Sequence, residues 1–288
     1  MIHLLRRIRS FLIHVKTKLM ADPLAELTAL NLIQHLQVGE TWLSASKRQL
    51  SPLTCDPIRY WSQSDEDTIT LRILDRIGMS SPGTFIEFGV GDGRENNTLV
   101  LLAHDWRGVW IGGQDIIFEP AKDGRLEFKK SWITLDNIKS TTYDLIQKRN
   151  LNPVDLVSLD LDGNDLHFTK HLLQGGLRPK VWIAEYNARF PVGVEWTVPY
   201  DATHTWVGDD YWGASFSSFC KLFEEYEYSP VACSILGANI FFVQKKYDSK
   251  FADIPNDLRQ IYQPPLHYLV PKWGHRASAK TLRLLTEK

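Results

Sequence analysis

A chain of 288 residues with 43% hydrophobic content and 10 Trp is long enough to bury one large core, with or without a small appendage. Lys and Arg total 33 against 34 Asp and Glu, a formal charge of −1, so no global field favours a polyanion such as nucleic acid. The 3 cysteines (Cys55, Cys220, Cys233) show neither CxxC nor Cys/His metal spacing and read as reduced thiols of a cytoplasmic protein, and no apolar run is long enough to span a bilayer.

The first twenty residues, MIHLLRRIRSFLIHVKTKLM, carry Arg6, Arg7, Arg9, Lys16 and Lys18 and no acid. They lack the apolar core and cleavage site of a signal peptide. The apolar spacing suits a helix packed on the domain or on a partner; the same basic amphipathic pattern also suits an anionic membrane surface, a peripheral role. Residues 1–81 read as a helical extension, 82–246 as the core and 247–288 as a Pro-containing tail.

Past residue 80, strand and helix patterns alternate, which predicts an α/β fold with a parallel sheet. Strands are expected at 84–88, 109–113, 131–136, 155–161 and 180–186, with helices near 94–104, 141–150, 164–174 and 214–226. Two further strands, 229–235 and 239–245, are separated only by LGA and predict a terminal antiparallel hairpin. This layout resembles a class I methyltransferase (Rossmann-like) sheet.

The first strand runs into EFGVGDGRENNT. A dinucleotide fingerprint wants glycine at position 94, which is Arg94, and no GKS or GKT follows for a phosphate loop. The pattern is E-x-G-x-G-x-G, with Glu87 ahead of Gly89, Gly91 and Gly93. It resembles the first motif of S-adenosylmethionine-dependent methyltransferases. Taken with YWSQSDEDTIT, SLDLDGND, AEYNARFP, VPYD and DDYWGASFSSFCKL, it resembles a bacterial branch of FkbM-like methyltransferases over most of residues 60–245. The resemblance implies S-adenosyl-L-methionine as cofactor and O-methylation of a hydroxyl of a sugar, glycan or glycosylated metabolite. It places the cofactor at Glu87, Gly89, Gly91 and Gly93, with adenine near Asp136 and Asn137, which read equally well as a helix cap. The acid that should end the second strand and hold the ribose aligns with Gly112; Asp115 is the substitute, with Glu119 and Gln114 behind it.

Methyl transfer to a neutral hydroxyl requires the oxygen to lose its proton. His167, after DGND, is the first candidate base and His204 the reserve. SLDLDGND fails as an EF-hand loop, because counting from Asp160 the sixth and twelfth positions are Asp165 and His171. Alternate strand residues share a face, so Asp160 pairs with Asp162 and Glu185 with Asn187, an oxygen-only set suited to Mg²⁺, Mn²⁺ or Ca²⁺. Acids and an Asn at these two strand ends are similar to a metal-dependent group of methyltransferases. The competing reading is a metal-free site in which these groups touch cofactor or acceptor. The long segment 188–213, rich in aromatics, is the expected acceptor wall, with Arg189, Tyr200, Trp206 and Tyr211 as contacts. Its acids outnumber its one base, which argues against phosphate-rich acceptors. Two other functional classes compete: a glycosyltransferase using the DLD at 160–162, and a binding protein that kept the fold and lost the chemistry.

Overall fold

The structure, a computed structural model, describes residues 51–79, 81–122 and 124–266, together with 282, 283, 286 and 287. The chain divides into two units, 1–47 and 48–288, and the basic segment 1–20 lies outside the described residues. No helix among the described residues is long and apolar enough to cross a membrane.

Seven strands form one sheet: β1 (Thr84–Phe88), β2 (Arg107–Gly112), β3 (Leu126–Lys130), β4 (Leu156–Leu159), β5 (Val181–Glu185), β6 (Tyr228–Cys233) and β7 (Asn239–Gln244). Their order is β3-β2-β1-β4-β5-β7-β6. The first five pair in parallel, and β7 inserts antiparallel between β5 and β6. The helices are α1 (Glu66–Arg76), α2 (Leu99–Ala103), α3 (Ile138–Arg149), α4 (Asp165–Gln174), α5 (Phe216–Glu225) and α6 (Leu258–Ile261).

The central strands are buried on both faces, which explains their continuous apolar runs. One face presents Ile86, Val157, Trp182 and Phe242 in register. On it α5 lays Phe223, stacked on Phe242 at 3.9 Å and edge-on to Trp182. The opposite face carries Trp110, Glu87, Ser158 and Ile183.

Three expected elements move. The third strand lies at 126–130, not at 131–136: LEFKK is an edge strand with only Leu126 buried, and exposed Lys129 and Lys130 discourage further pairing there. The alternation of SWITLD belongs instead to a connection whose last ladder bond is Ser131 N–H to the Gly112 carbonyl. Helix 94–104 shrinks to α2, because residues up to Thr98 wrap the Glu87 carboxylate. Helix 141–150 starts three residues early, at Ile138.

Candidate active site

The strand order reverses between β1 and β4, the switch point outside which open α/β sheets bind ligands. Two residues beyond Glu87, Ser158 and Ile183, the polar face presents Gly89, Asp160 and Glu185, with Asn239 opposite Glu185. Gly89 is required where it stands. Its φ is +82°, and a Cβ there would lie 1.4 Å from the Asp160 carbonyl oxygen. The two strand ends therefore touch backbone to backbone, bringing the glycine turn against the acidic loop.

The turn itself is organised by Glu87. Its buried carboxylate accepts from the Asn97 and Thr98 N–H groups (2.8 and 3.2 Å) and from the Thr98 hydroxyl, which in turn accepts from the Trp110 indole. Burial pushes the carboxyl up to about 7. Glu87, expected to touch cofactor, has both oxygens engaged in shaping the turn. Gly93 likewise packs, 3.2 Å from the Trp110 ring by its absent Cβ, whereas a Cβ on Gly91 (φ +50°) would meet open space. Gly91 is thus the place where the backbone lies open to a ligand. Gly91→Val is expected to retain the fold, at a backbone cost of about 1–3 kcal/mol in urea titration.

At the end of β2, a Cβ on Gly112 would approach a Val90 methyl to 3.0 Å, so a side chain there has little room. Its substitute, Asp115, is exposed and paired with Lys130 at 2.7 Å. Asp136 is exposed. Asn137 is engaged: its amide oxygen accepts from Thr134 N–H and its NH₂ donates to the Trp132 carbonyl. Asn137 thereby closes the turn into α3 and offers neither group to adenine.

Asp160, Asp162 and Glu185 each bring one carboxylate oxygen within 4.8 Å of the others. Asp165 aims them: its carboxylate accepts from Leu161 and Gly163 N–H (2.7 and 2.8 Å), holding a turn in which Asp162 takes a left-handed φ of +55°. Burial, then repulsion from Asp162 and Asp165, holds Asp160 well above the usual carboxylate range, and burial, then repulsion from Asp160, does the same to Glu185. Partial desolvation also raises Asp162, although that residue is exposed, against a lowering pull from His204. One Glu185 oxygen is buried without a hydrogen-bond partner. Three converging oxygen ligands, one of them orphaned, fit a hard divalent cation.

The fourth expected ligand is not available. β5 ends at Glu185 and the chain turns, so the strand alternation no longer governs Asn187. Its NH₂ donates to the Asp210 and Trp212 carbonyls and its oxygen accepts from Arg189 N–H. Asn187 clasps the two ends of the long loop instead.

That loop lies over the acidic turn. Asn164 and Asp201 exchange two hydrogen bonds (2.7 and 3.2 Å), the Trp132 indole donates to the Ala202 carbonyl, and the Tyr200 hydroxyl accepts from Leu135 N–H. His167 belongs to this clamp: its Nε2 stands 2.8 Å from the Val198 carbonyl and must donate there. With Nε2 given to the loop, His167 is a loop anchor, and only its Nδ1 is left to act as a base. His167→Ala is expected to cost about 1 kcal/mol and leave the pH–rate profile in place, with the donor-retaining His167→Gln closer to wild type in a thermal melt. Tyr200 joins the clamp, its ring edge-on to His167 and Phe168 and its hydroxyl accepting from Leu135 N–H.

His204 is the histidine at the crevice. A Cβ on Gly163 would strike its ring at 2.1 Å, and its Nε2 is buried without a partner beside Asp162. Of the loop's other expected contacts, Arg189, Trp206 and Tyr211 are exposed. Phe190 and Trp196 stack on each other at 4.2 Å. Sequence reasoning missed Asp165 as the aiming residue and Glu66, which accepts from the Asn239 amide at 3.2 Å next to Glu185. The polar run SDED at 64–67 was the available signal for Glu66, and DGND for Asp165.

No family model matches the chain, and no curated protein does. Among solved structures it is similar to the crystal structure of selenomethionine-substituted CurJ carbon methyltransferase, at a TM-score of 0.35 and 11% identity, over 62% of this chain and 52% of that one. The chain spans about half the length of that structure, and a likeness of this grade carries no argument here. What defines the class is the sheet: a Rossmann-like α/β fold of methyltransferase type, its five parallel strands closed by an antiparallel hairpin.

Proposed function

We propose that the chain is an S-adenosylmethionine-dependent O-methyltransferase acting on a hydroxyl of a sugar, glycan or glycosylated metabolite. The observation that carries this reading is the contact of the open glycine turn with the Asp160–Asp162–Glu185 cluster across the switch point. Gly91 gives the cofactor a backbone surface to lie on, and the acids beside it favour its cationic sulfonium end. Methyl transfer breaks the sulfur–carbon bond, forms the oxygen–carbon bond and releases the hydroxyl proton. His204, whose Nε2 is unpartnered at the crevice, is the group in reach to receive that proton. Asp160, Asp162 and Glu185 would hold a Mg²⁺ or Mn²⁺ ion, which supplies Lewis-acid lowering of the acceptor hydroxyl's pKa. Exposed Arg189, Trp206 and Tyr211 remain for the acceptor.

A glycosyltransferase would use the same acids but leave the open face of Gly91 idle. The loss of the ribose acid, which favoured a non-catalytic protein, has a packing explanation in the Val90 contact at Gly112. Calorimetry with S-adenosylhomocysteine and, separately, a nucleotide sugar tests the reading. Only the former should bind, and Gly91→Val should weaken it at least about tenfold, a branched side chain replacing ligand-facing backbone. Equal affinity of wild type and variant would place the cofactor elsewhere. Turnover surviving exhaustive EDTA treatment would remove the ion and leave the methyltransferase standing.

A further inference from the structure

Asn239 opens β7 beside the acid that closes β5, where Glu185 is its ladder partner. Tyr186 N–H donates to the Ala238 carbonyl at 2.9 Å, and Gln244 N–H to that of Lys180 at 3.2 Å. Those are the hydrogen-bonded pairs of an antiparallel ladder, so alternation makes Glu185 and Asn239 a non-hydrogen-bonded one. Such pairs approach to about 4.5 Å between Cα atoms, with their side chains adjacent on one face. Here that face is the one presenting Asp160.

One end of the Asn239 amide is held and the other is free. The residue is 3% exposed, and its NH₂ donates to the Glu66 carboxylate at 3.2 Å. Glu66 is fully buried, and Ser64 fastens both of its oxygens, one by its N–H (2.7 Å) and one by its hydroxyl (2.9 Å). A flipped amide would set its oxygen against that carboxylate, acceptor against acceptor, so its orientation is fixed. The Asn239 oxygen therefore points away from Glu66, and it is buried without a hydrogen-bond partner. So is one oxygen of Glu185 on the adjacent strand. Buried polar atoms ordinarily have partners, and two orphaned acceptors on neighbouring side chains call for a donor or a cation between them. The amide oxygen expected of Asn187, which the loop consumes, is thus offered by Asn239 instead.

We propose that Asn239 Oδ1 is the fourth oxygen ligand of the divalent ion, beside Asp160, Asp162 and Glu185, and that Glu66 is the positioning residue that turns it inward. This rests on the ion of the preceding reading, not on methyl transfer itself. Hard cations accept amide carbonyls together with carboxylates, and a neutral oxygen completes the set without adding charge to crowded acids. The test is Mn²⁺ binding to the full chain without cofactor, read from the paramagnetic resonance of the free ion. Wild type should bind, and Asn239→Leu, close in volume, should weaken binding about tenfold or more. Glu66→Gln should do likewise from a distance. With its oxygen kept on Ser64 N–H, the new side chain faces Asn239 with NH₂, so the Asn239 amide turns over and presents NH₂ to the ion. A purely structural Asn239 would lower the melting temperature and leave Mn²⁺ affinity alone. Wild-type affinity in Asn239→Leu overturns the assignment and leaves the orphaned oxygen to water; should that variant not fold, wild-type affinity in Glu66→Gln overturns it. A loss confined to Glu66→Gln reports only its missing charge and overturns it equally. Wild type that binds no Mn²⁺ removes the ion and this ligand together, while S-adenosylhomocysteine calorimetry without metal tests the methyltransferase reading on its own.

Discussion

Gly89→Ala should unfold at a much lower urea concentration than wild type. A methyl group there would lie 1.4 Å from the Asp160 carbonyl oxygen, and the obstacle is backbone, which no rotamer change can move aside. Relief requires β1 and β4 to part at the switch point, while the residue must also hold φ at +82°. Overpacking costs about 1–3 kcal/mol and a non-glycine residue in such a region about 1–3 more, a large share of a typical domain's stability. Cofactor affinity should fall with it, since the same displacement separates the turn from the acids. A matched midpoint would mean that the strand ends do not touch. Gly163→Ala is the milder companion, because the obstacle is the His204 ring, which can swing away together with its loop.

Asp65→Asn should stabilise the protein at pH 8 and do nothing at pH 4. Asp65 is buried at the start of α1; burial, then repulsion from Glu66, pushes its carboxyl up to about 7. A carboxyl with a raised folded-state pKa keeps its proton longer in the folded than in the unfolded chain. Stability therefore falls as pH rises from about 4 through about 7, and the loss is complete above that. A shift of this size corresponds to about 4 kcal/mol, or roughly 8–16 °C in Tm for a chain of this length. Glu87, raised to about 7 by burial, adds to the same slope. Exposed Asp201 and Asp253, lowered by hydrogen bonds, act oppositely but only below about pH 4. Wild type should thus melt highest near pH 4–5.5. The asparagine variant, keeping an acceptor for Ile235 N–H, should show a flatter profile in differential scanning fluorimetry. Parallel profiles would show that Asp65 titrates normally.

The order of elements was legible because buried parallel strands write themselves as local apolar runs, and TFIEF, DLVSLDL and KVWIAEY do so plainly. The third strand was not, because an edge strand with one buried residue gives a weaker local pattern than the connection after it. Residue types at the site were legible, and three of the four oxygen ligands expected do converge. The roles of Glu87, Asn187 and His167 were not, since each depends on where the chain turns after its strand. Each serves groups that are remote in sequence: Glu87 the Asn97 and Thr98 N–H groups, Asn187 the Asp210 and Trp212 carbonyls, His167 the Val198 carbonyl. The histidine at the crevice is the one delivered by the loop, a placement set by tertiary clamping rather than by spacing along α4.

Asn187 gathers both ends of the long loop on one side chain, so the loop leaves and rejoins the sheet at nearly a single point. Closure entropy grows only with the logarithm of loop length, about 0.6 kcal/mol per doubling. The span between His204 and Asp210, beyond the clamps at Val198, Tyr200, Asp201 and Ala202, can accordingly lengthen, shorten or exchange its tip at small cost, while the glycine turn and the acids stay in place. Such a hinge point makes the acceptor wall an interchangeable cassette on a constant chassis: new acceptors call for new tips, not for a new sheet.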